Sequence, residues 1–349
     1  MSELLLEVED LKIQYRTEAG PLTAVSDATF TISRSEYFGL VGESGCGKST
    51  IARALIGGLD NNGYVESGTI RFKGEEIQDY SEAEFNRNIR WKEISFIPQS
   101  SMNNLDPLER VSDQAHQIAR THTDMSRKET MERFGNLFEA VGLQRERIDE
   151  YPHQFSGGMQ QRAIIALALL LEPSVVIADE PTTALDVIMQ DQVFQELEDM
   201  KEDFETSMLL ITHDISLVFE SCDRMAVMHG GQIAETGAVT SIYDEPRHPY
   251  SILLQGAFPD IKDPDRELET IDGAPPQLYG EVTECSFVDR CPWAIDECSS
   301  KAPHLDPIEG SDDDSHRAAC FRKHEVLDMY RAENDSLGAR SATDGGDPS

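Results

Sequence analysis

The chain has 349 residues and carries 65 Asp and Glu against 30 Lys and Arg, a formal net charge of −35. That length supports one large domain with a smaller appendage, and the acidic excess repels free nucleic acid, which is excluded as a partner. No apolar run approaches the roughly 20 residues of a membrane span, the longest, Ala163–Leu171, being stopped by Glu172-Pro173.

The N-terminus, Met1-Ser-Glu-Leu-Leu-Leu-Glu, lacks a basic region followed by an apolar core, so no export signal is expected and the chain is placed in the cytoplasm. Short apolar runs separated by polar turns predict strands at Leu4–Val8, Leu11–Tyr15, Ala28–Ile32 and Tyr37–Val41. Next comes Gly42-Glu43-Ser44-Gly45-Cys46-Gly47-Lys48-Ser49-Thr50, between a strand and a predicted helix over Ile51–Ile56. This is the P-loop pattern in its required context. Gly45 and Gly47 let backbone N–H groups face phosphate, Lys48 reaches the β and γ oxygens, and the Ser49 hydroxyl can ligate Mg²⁺. Cys46 occupies a variable position of the loop and its side chain is given no role.

Further strands are expected at Gly68–Phe72 and Ile94–Ile97, the second leading into Pro98-Gln99. From about Arg110 to Leu171 helical spacing dominates; Met131, Phe134, Leu137, Phe138 and Val141 form one apolar face before the stop at Gly142. Within that insert Phe155-Ser156-Gly157-Gly158-Met159 opens a helix predicted to run from Met159 to Leu171. A helix start offers unpaired N–H groups and partial positive charge to an anion, so the chain carries a second phosphate-directed element.

Val175–Ala178 and Met208–Thr212 are unbroken apolar runs flanked by helical stretches, as buried parallel strands are. Asp179 ends the first, and its carboxylate should emerge at the sheet edge beside the P-loop to hold Mg²⁺ through water. Glu180 is the candidate that polarises an attacking water, and His213, directly after the second run, reaches the same edge. Arg224–Met228 and Gln232–Thr236 flank His229-Gly230-Gly231 as a hairpin. Beyond Pro246 prolines multiply and four of six cysteines gather at Cys285, Cys291, Cys298 and Cys320. The division read from this is 1–245, with a helical subdomain over about 100–172, then a module over 246–330, and a polar acidic tail over 331–349 expected to be disordered.

Taken together, these motifs resemble the ATP-binding subunit of an ATP-binding cassette (ABC) transporter over residues 4 to about 240. The resemblance implies an α/β P-loop NTPase of the ABC ATPase type, with a parallel core sheet, an antiparallel β subdomain and a helical insert, followed here by a small irregular Cys-rich module. It implies that Tyr15 stacks on adenine, that Gly42–Thr50 bind the phosphates, and that Gln99 senses Mg²⁺ and the γ-phosphate. Ser156, Gly157 and Gly158 match the family signature, Asp179 the Mg²⁺ aspartate, Glu180 the catalytic glutamate, Ala184-Leu185-Asp186 the inter-subunit loop and His213 the switch histidine. In this family the signature of one subunit closes over ATP on another subunit's P-loop, which accounts for two phosphate-directed elements in one chain. Glu245-Pro-Arg-His-Pro-Tyr250, the cysteine-bearing tail and Met159, where most of the superfamily has Gln, are similar to dipeptide and oligopeptide importers. That branch implies a second, related ATPase subunit, two membrane permeases, an extracellular solute-binding protein, and a site of work on the cytoplasmic face of the membrane. Residues Ser100–Arg110 would help receive a permease helix. An importer for another solute, such as a sugar or nickel, an exporter subunit and a soluble cassette ATPase of translation or repair are the alternatives.

The gaps between the four cysteines, of five, six and 21 residues, are wider than the knuckles of structural zinc sites. A reducing cytoplasm disfavours disulfides. Four thiolates can hold a [4Fe–4S] cluster, the favoured reading, which some relatives also imply; zinc, disulfides and unligated thiols stay open. Cys222 reads as a core residue. Finally, nine Lys against 21 Arg on so acidic a chain is the balance expected in a very salty cytoplasm, an ordinary acidic protein being the alternative.

Overall fold

The computed structural model describes residues 3–99, 104–181, 206–258, 270–276 and 278–333. Its first strands are β1 (Leu4–Thr17), β2 (Gly20–Ser33), β3 (Tyr37–Val41), β4 (Gly63–Phe72) and β5 (Glu75–Glu76). Then follow β6 (Ile94–Ile97), β7 (Val175–Asp179), β8 (Ser207–Thr212), β9 (Arg224–His229) and β10 (Gln232–Ala238). Three two-residue strands come last: β11 (Leu278–Tyr279), β12 (Asp306–Pro307) and β13 (Arg317–Ala318). The helices the site depends on are α1 (Lys48–Leu55), α2 (Val111–His122), α3 (Arg127–Ala140), α4 (Gly157–Ala168), α5 (Ile215–Ser221), α6 (Val239–Asp244) and α7 (Pro249–Gly256).

Among the described residues the strands form two sheets, an eight-stranded one in the order β12-β13-β10-β9-β3-β8-β7-β6 and an antiparallel one in the order β11-β2-β1-β4-β5. Strands β9, β3, β8, β7 and β6 run parallel. Each of β3, β7 and β8 is buried along its whole length, which is why their sequences read as continuous apolar runs: both faces are covered. The alternation of side chains divides the core. Tyr37, Val41, Val176, Ala178 and Leu210 face one apolar cluster that includes the helical insert, while Phe38, Leu40, Ile177 and Ile211 face another shared with α1 and the antiparallel sheet. Close packing of α5 on the sheet requires the glycine at 39, where an added Cβ would stand 2.3 Å from a Val218 methyl.

The predicted strands Leu4–Val8 and Leu11–Tyr15 are one strand. Asp10 adopts φ 48, the register shifts between Val8 and Leu11, and the bend is held by the Asp10 N–H donating to Thr29 Oγ1 at 2.9 Å. A bulge here turns the strand without ending it. In the insert, Ser126 and Glu129 form a capping box that starts α3. From α3 the predicted apolar face delivers Phe134, Leu137 and Phe138 into the core, with Phe138 packing edge-on against Phe155 at 6.3 Å.

The region after Pro246 is laid along both sheets. Strand β11 pairs with β2, β13 with β10, and β12 with β13. Residues 326–333 form a helix, on which Val326 packs against Trp293 and Ile252. Residues 334–349 of the expected acidic tail lie outside the described residues.

Candidate active site

The P-loop joins β3 to α1, and its conformation follows from two glycines: Gly45 has φ 85, and Gly47, the cap of α1, has φ 108. A Cβ at position 47 would lie 2.3 Å from the carbonyl oxygen of Ala24, so both backbone angle and space require glycine there. Buried Lys48 donates from Nζ to the carbonyls of Gly42 at 2.7 Å and Glu43 at 2.9 Å. Gly42 is buried, Glu43 half-buried and Ser44 exposed. Cys46 is buried under the loop, and burial pushes its thiol up despite the neighbouring Lys48. The Tyr15 phenol lies 3.4 Å from Thr50 Oγ1, so β1 brings its aromatic residue to the start of α1.

The end of β7 meets this loop, and the residues after β6 and β8 meet Glu180 beside it. Ser49 Oγ donates to Asp179 Oδ1 at 3.1 Å, uniting the P-loop with the end of β7. Burial raises the Asp179 carboxyl above its ordinary range, partly offset by the Ser49 hydrogen bond and reinforced by the charge of Glu180. Glu180 takes φ 46 and donates its N–H to the Ile211 carbonyl at 2.8 Å, a left-handed bend that turns its carboxylate across the sheet edge. That carboxylate accepts from Gln99 Nε2 at 2.7 Å and stands 3.3 Å from His213 Nδ1, whose side chain is 55% exposed. Gln99 follows β6 and His213 follows β8, so three neighbouring parallel strands converge on one carboxylate.

A hydroxyl and a carboxylate on adjacent elements suit Mg²⁺, which usually takes one or two protein oxygens and fills its octahedron with water and phosphate. In the insert, Ser156 is exposed, its Oγ caps α4 by accepting the Met159 N–H, and Gly158 is buried. An added Cβ on Gly157 would meet nothing within 4 Å, so its backbone is open to close approach. Asp186, with Ala184 and Leu185, lies outside the described residues, as do residues 100–103 of the predicted permease-facing loop; in the rest of that loop Leu105 is buried and Leu108 is 84% exposed.

Sequence reasoning missed a set of residues that brace the P-loop. Arg290 forks onto the Glu43 carboxylate with contacts of 2.6 and 2.8 Å. The Glu43 N–H donates to the Tyr250 phenol at 3.0 Å. Arg290 also lies 3.1 Å from His229 Nε2, and His229 Nδ1 lies 3.1 Å from Ser286 Oγ. Burial, with the Arg290 charge beside it, pushes His229 down to about 4, so the imidazole is neutral and accepts from the guanidinium. In the sequence Arg290 showed only as the residue directly before Cys291, and Tyr250 only as the end of the importer-like stretch Glu245–Tyr250.

Cys285, Cys291, Cys298 and Cys320 line one small cavity together with Phe287 and Trp293. All four are free thiols. The backbone N–H two residues on, from Phe287, Trp293 and Arg322, donates to Cys285, Cys291 and Cys320 in turn. Burial, with the neighbouring cysteines adding, pushes Cys291 up to about 11 and Cys320 to about 12. Among the described residues no group of three His, Cys, Asp or Glu is arranged to hold a metal ion. A zinc tetrahedron would bring its sulfurs to about 3.8 Å from one another, given Zn–S bonds near 2.3 Å. Cys222, which precedes β9, is half-buried against the core.

The ABC transporter profile matches residues 25–183, and the profile of the oligopeptide/dipeptide transporter C-terminal region matches 234–298. The oligopeptide transport ATP-binding protein OppD of Salmonella typhimurium is 42% identical over 328 residues, spanning 93% of this chain and 96% of that protein. This chain belongs to the ABC transporter family. As an ABC ATPase it hydrolyses ATP, and its α/β cassette fold agrees with that membership. The dipeptide transport ATP-binding protein DppD of Bacillus subtilis is 38% identical, over 95% of this chain and 97% of that one. Among solved structures, the dimeric post-hydrolysis state of the cassette MJ0796 with ADP and Pi matches with TM-score 0.61 and 25% identity. That match covers 67% of this chain and 99% of MJ0796. No helix among the described residues is long and apolar enough to cross a membrane.

Proposed function

We propose that this ABC ATPase couples ATP hydrolysis to the import of dipeptides or oligopeptides, working peripherally on the cytoplasmic face of the membrane. Its partners are a second cassette subunit, two permeases and an external solute-binding protein. The supporting observation is that the cassette and the cysteine-bearing C-terminal region both match peptide-transport ATPases, over more than nine-tenths of the chain. With permeases reconstituted, a peptide-loaded binding protein should stimulate ATP hydrolysis several-fold; stimulation by a sugar- or nickel-loaded protein instead would overturn the reading. The loop Ser100–Arg110, on which Leu108 is exposed, is read as receiving a permease helix.

Within the cassette, Tyr15 stacks on the base, and the P-loop N–H groups and Lys48 hold the phosphates. Ser49 and Asp179 hold Mg²⁺, which when bound neutralises charge on the transferred phosphoryl group. Gln99 positions Glu180, Glu180 accepts a proton from the attacking water, and His213 fixes the carboxylate from its other side. Ser156, Gly157 and Gly158 serve ATP held by another cassette, for which the open space at Gly157 leaves room. Asp186 belongs to the facing loop of that dimer.

The four thiols are read as ligands of a [4Fe–4S] cluster. The supporting observation is that the four line one cavity; burial favours their neutral form, so a bound cluster would have to displace their protons. Broad visible absorption that disappears in Cys291→Ser is the expected result; a colourless, zinc-containing protein from oxygen-free purification would replace the cluster with zinc. The acidic surface is read as adaptation to high salt, which requires that stability fall in dilute buffer.

A further inference from the structure

We propose that Arg290 of the cysteine module is a positioning residue for the P-loop, so that the fold of the module sets the affinity of the cassette for ATP. The inference rests on the P-loop binding ATP and does not depend on what the four thiols hold.

Glu43 is the joint. Its carbonyl accepts from Lys48 Nζ, its N–H donates to Tyr250 of α7, and its carboxylate takes the Arg290 fork. One P-loop residue thus ties the phosphate-directed lysine to two elements beyond residue 246. Arg290 is itself fixed on several sides. Its Nε donates to the Asp272 carbonyl at 2.8 Å, and the guanidinium packs over the Phe287 ring at 5.7 Å. Its third polar neighbour is His229 Nε2, at the turn between β9 and β10. The Arg290 side chain is 7% exposed and that of Glu43 is 26% exposed, so the pair is largely shielded from water and from salt. A planar guanidinium with two parallel hydrogen bonds fixes orientation as well as distance, which a lysine would not.

The clamp sits inside the thiol pocket's own loop. Arg290 immediately precedes Cys291, and Ser286 and Phe287 immediately follow Cys285. Phe287 packs against His229 at 5.0 Å and Tyr250 at 5.4 Å, and Ser286 Oγ donates to the His229 carbonyl at 3.2 Å. The segment from 285 to 291 therefore touches the thiol cavity with its cysteines and the P-loop with its arginine. A change in the geometry of one end reaches the other through five residues of chain and no flexible linker.

The test is a set of ATP titrations and steady-state hydrolysis curves on the full chain carrying Arg290→Gln, Arg290→Lys, Glu43→Gln and the double variant Arg290→Gln/Glu43→Gln. Loss of either partner should raise the Kd and KM for ATP by about tenfold with kcat within about twofold, because the clamp acts on ground-state binding. The double variant should be no weaker than the weaker single one, and Arg290→Lys should fall between wild type and Arg290→Gln. Cys291→Ser should shift the ATP Kd in the same direction and add nothing to Arg290→Gln. A lower melting temperature with unchanged Kd in both Arg290→Gln and Glu43→Gln would make the pair a mere brace and overturn the proposal, as would multiplicative losses in the double variant. If Arg290→Gln fails to fold, Glu43→Gln, on the more exposed partner of the pair, decides alone. Wild-type protein that binds no ATP would instead sink the P-loop reading itself.

Discussion

Replacing Glu180 by Gln keeps the volume of the side chain and one carbonyl-type acceptor for Gln99, but removes the charge and the proton-accepting capacity. The residue is 9% exposed and held from two sides, by Gln99 at 2.7 Å and His213 at 3.3 Å. The variant side chain should therefore stay in place, so the loss will report chemistry. General-base assistance contributes about 10²–10⁴-fold, equal to about 3–5 kcal/mol of barrier. The expected kcat of Glu180→Gln is lower by at least a hundredfold. Lys48, Ser49 and Asp179 are untouched, so ATP should still bind, and the trapped nucleotide should hold two cassettes together. The unliganded variant should also melt no lower than wild type, because the like charge beside the buried Asp179 carboxyl is gone. Phosphate release, a nucleotide titration and size-exclusion chromatography with ATP measure the first three quantities, and thermal denaturation without nucleotide measures the fourth. Hydrolysis within about threefold of wild type would refute the assignment of Glu180 as the base.

Gly47→Ala places a methyl 2.3 Å from the Ala24 carbonyl at a residue with φ 108; stability should fall by about 1–3 kcal/mol and ATP binding at least tenfold, and normal melting with normal affinity would contradict the P-loop geometry. Tyr250→Phe removes the acceptor of the Glu43 N–H at 3.0 Å, so urea denaturation should show a loss of about 1–3 kcal/mol for the orphaned donor; no change would mean the N–H finds another partner. His229 sits near 4 in the fold against an ordinary 6.5, so the unfolded chain binds its proton first, and the stability due to the neutral imidazole is present above pH 6.5 and lost as pH falls towards 4. At pH 5.5 this single group costs about 1 kcal/mol relative to pH 7. Denaturant titrations at the two pH values should show that difference shrinking in His229→Gln, and an equal pH response in both proteins would assign it to other groups.

The cassette was legible because its motifs sit at the ends of strands whose burial shows in the sequence. A run such as Val175–Ala178, apolar at every position and too short for a helix of its own, suits a strand covered on both faces, and once that is accepted the residues after it, Asp179 and Glu180, fall at the same edge as Lys48 and His213. Strand β1 was read as two because the polar Glu9-Asp10 step looks like a turn, whereas a bulge with Asp10 at φ 48 carries the ladder through it. The brace on Glu43 was illegible for a different reason. Arg290 and Glu43 are 247 positions apart, and strands β11, β12 and β13 have two residues each, too few to show any periodicity.

Those short strands bear on what the C-terminal region does for the cassette. Strand β11 covers the edge of β2, with the Thr23 hydroxyl donating to the Gly280 carbonyl at 2.6 Å, and β13 covers the edge of β10. Beneath β13, the fully buried Glu235 accepts from His316 Nε2 at 2.8 Å and from the N–H groups of Arg247 and His248 at 2.7 and 2.9 Å. Truncating the chain before residue 270 would leave two sheet edges unpaired, a buried carboxylate short of one donor, and Glu43 without its arginine. The first two losses act on stability and the third on the nucleotide loop. The region that sequence texture separates from the cassette is therefore joined to it at both sheets and at the phosphate site, and a change at the thiol pocket has a short, stiff route to the residue next to Gly42.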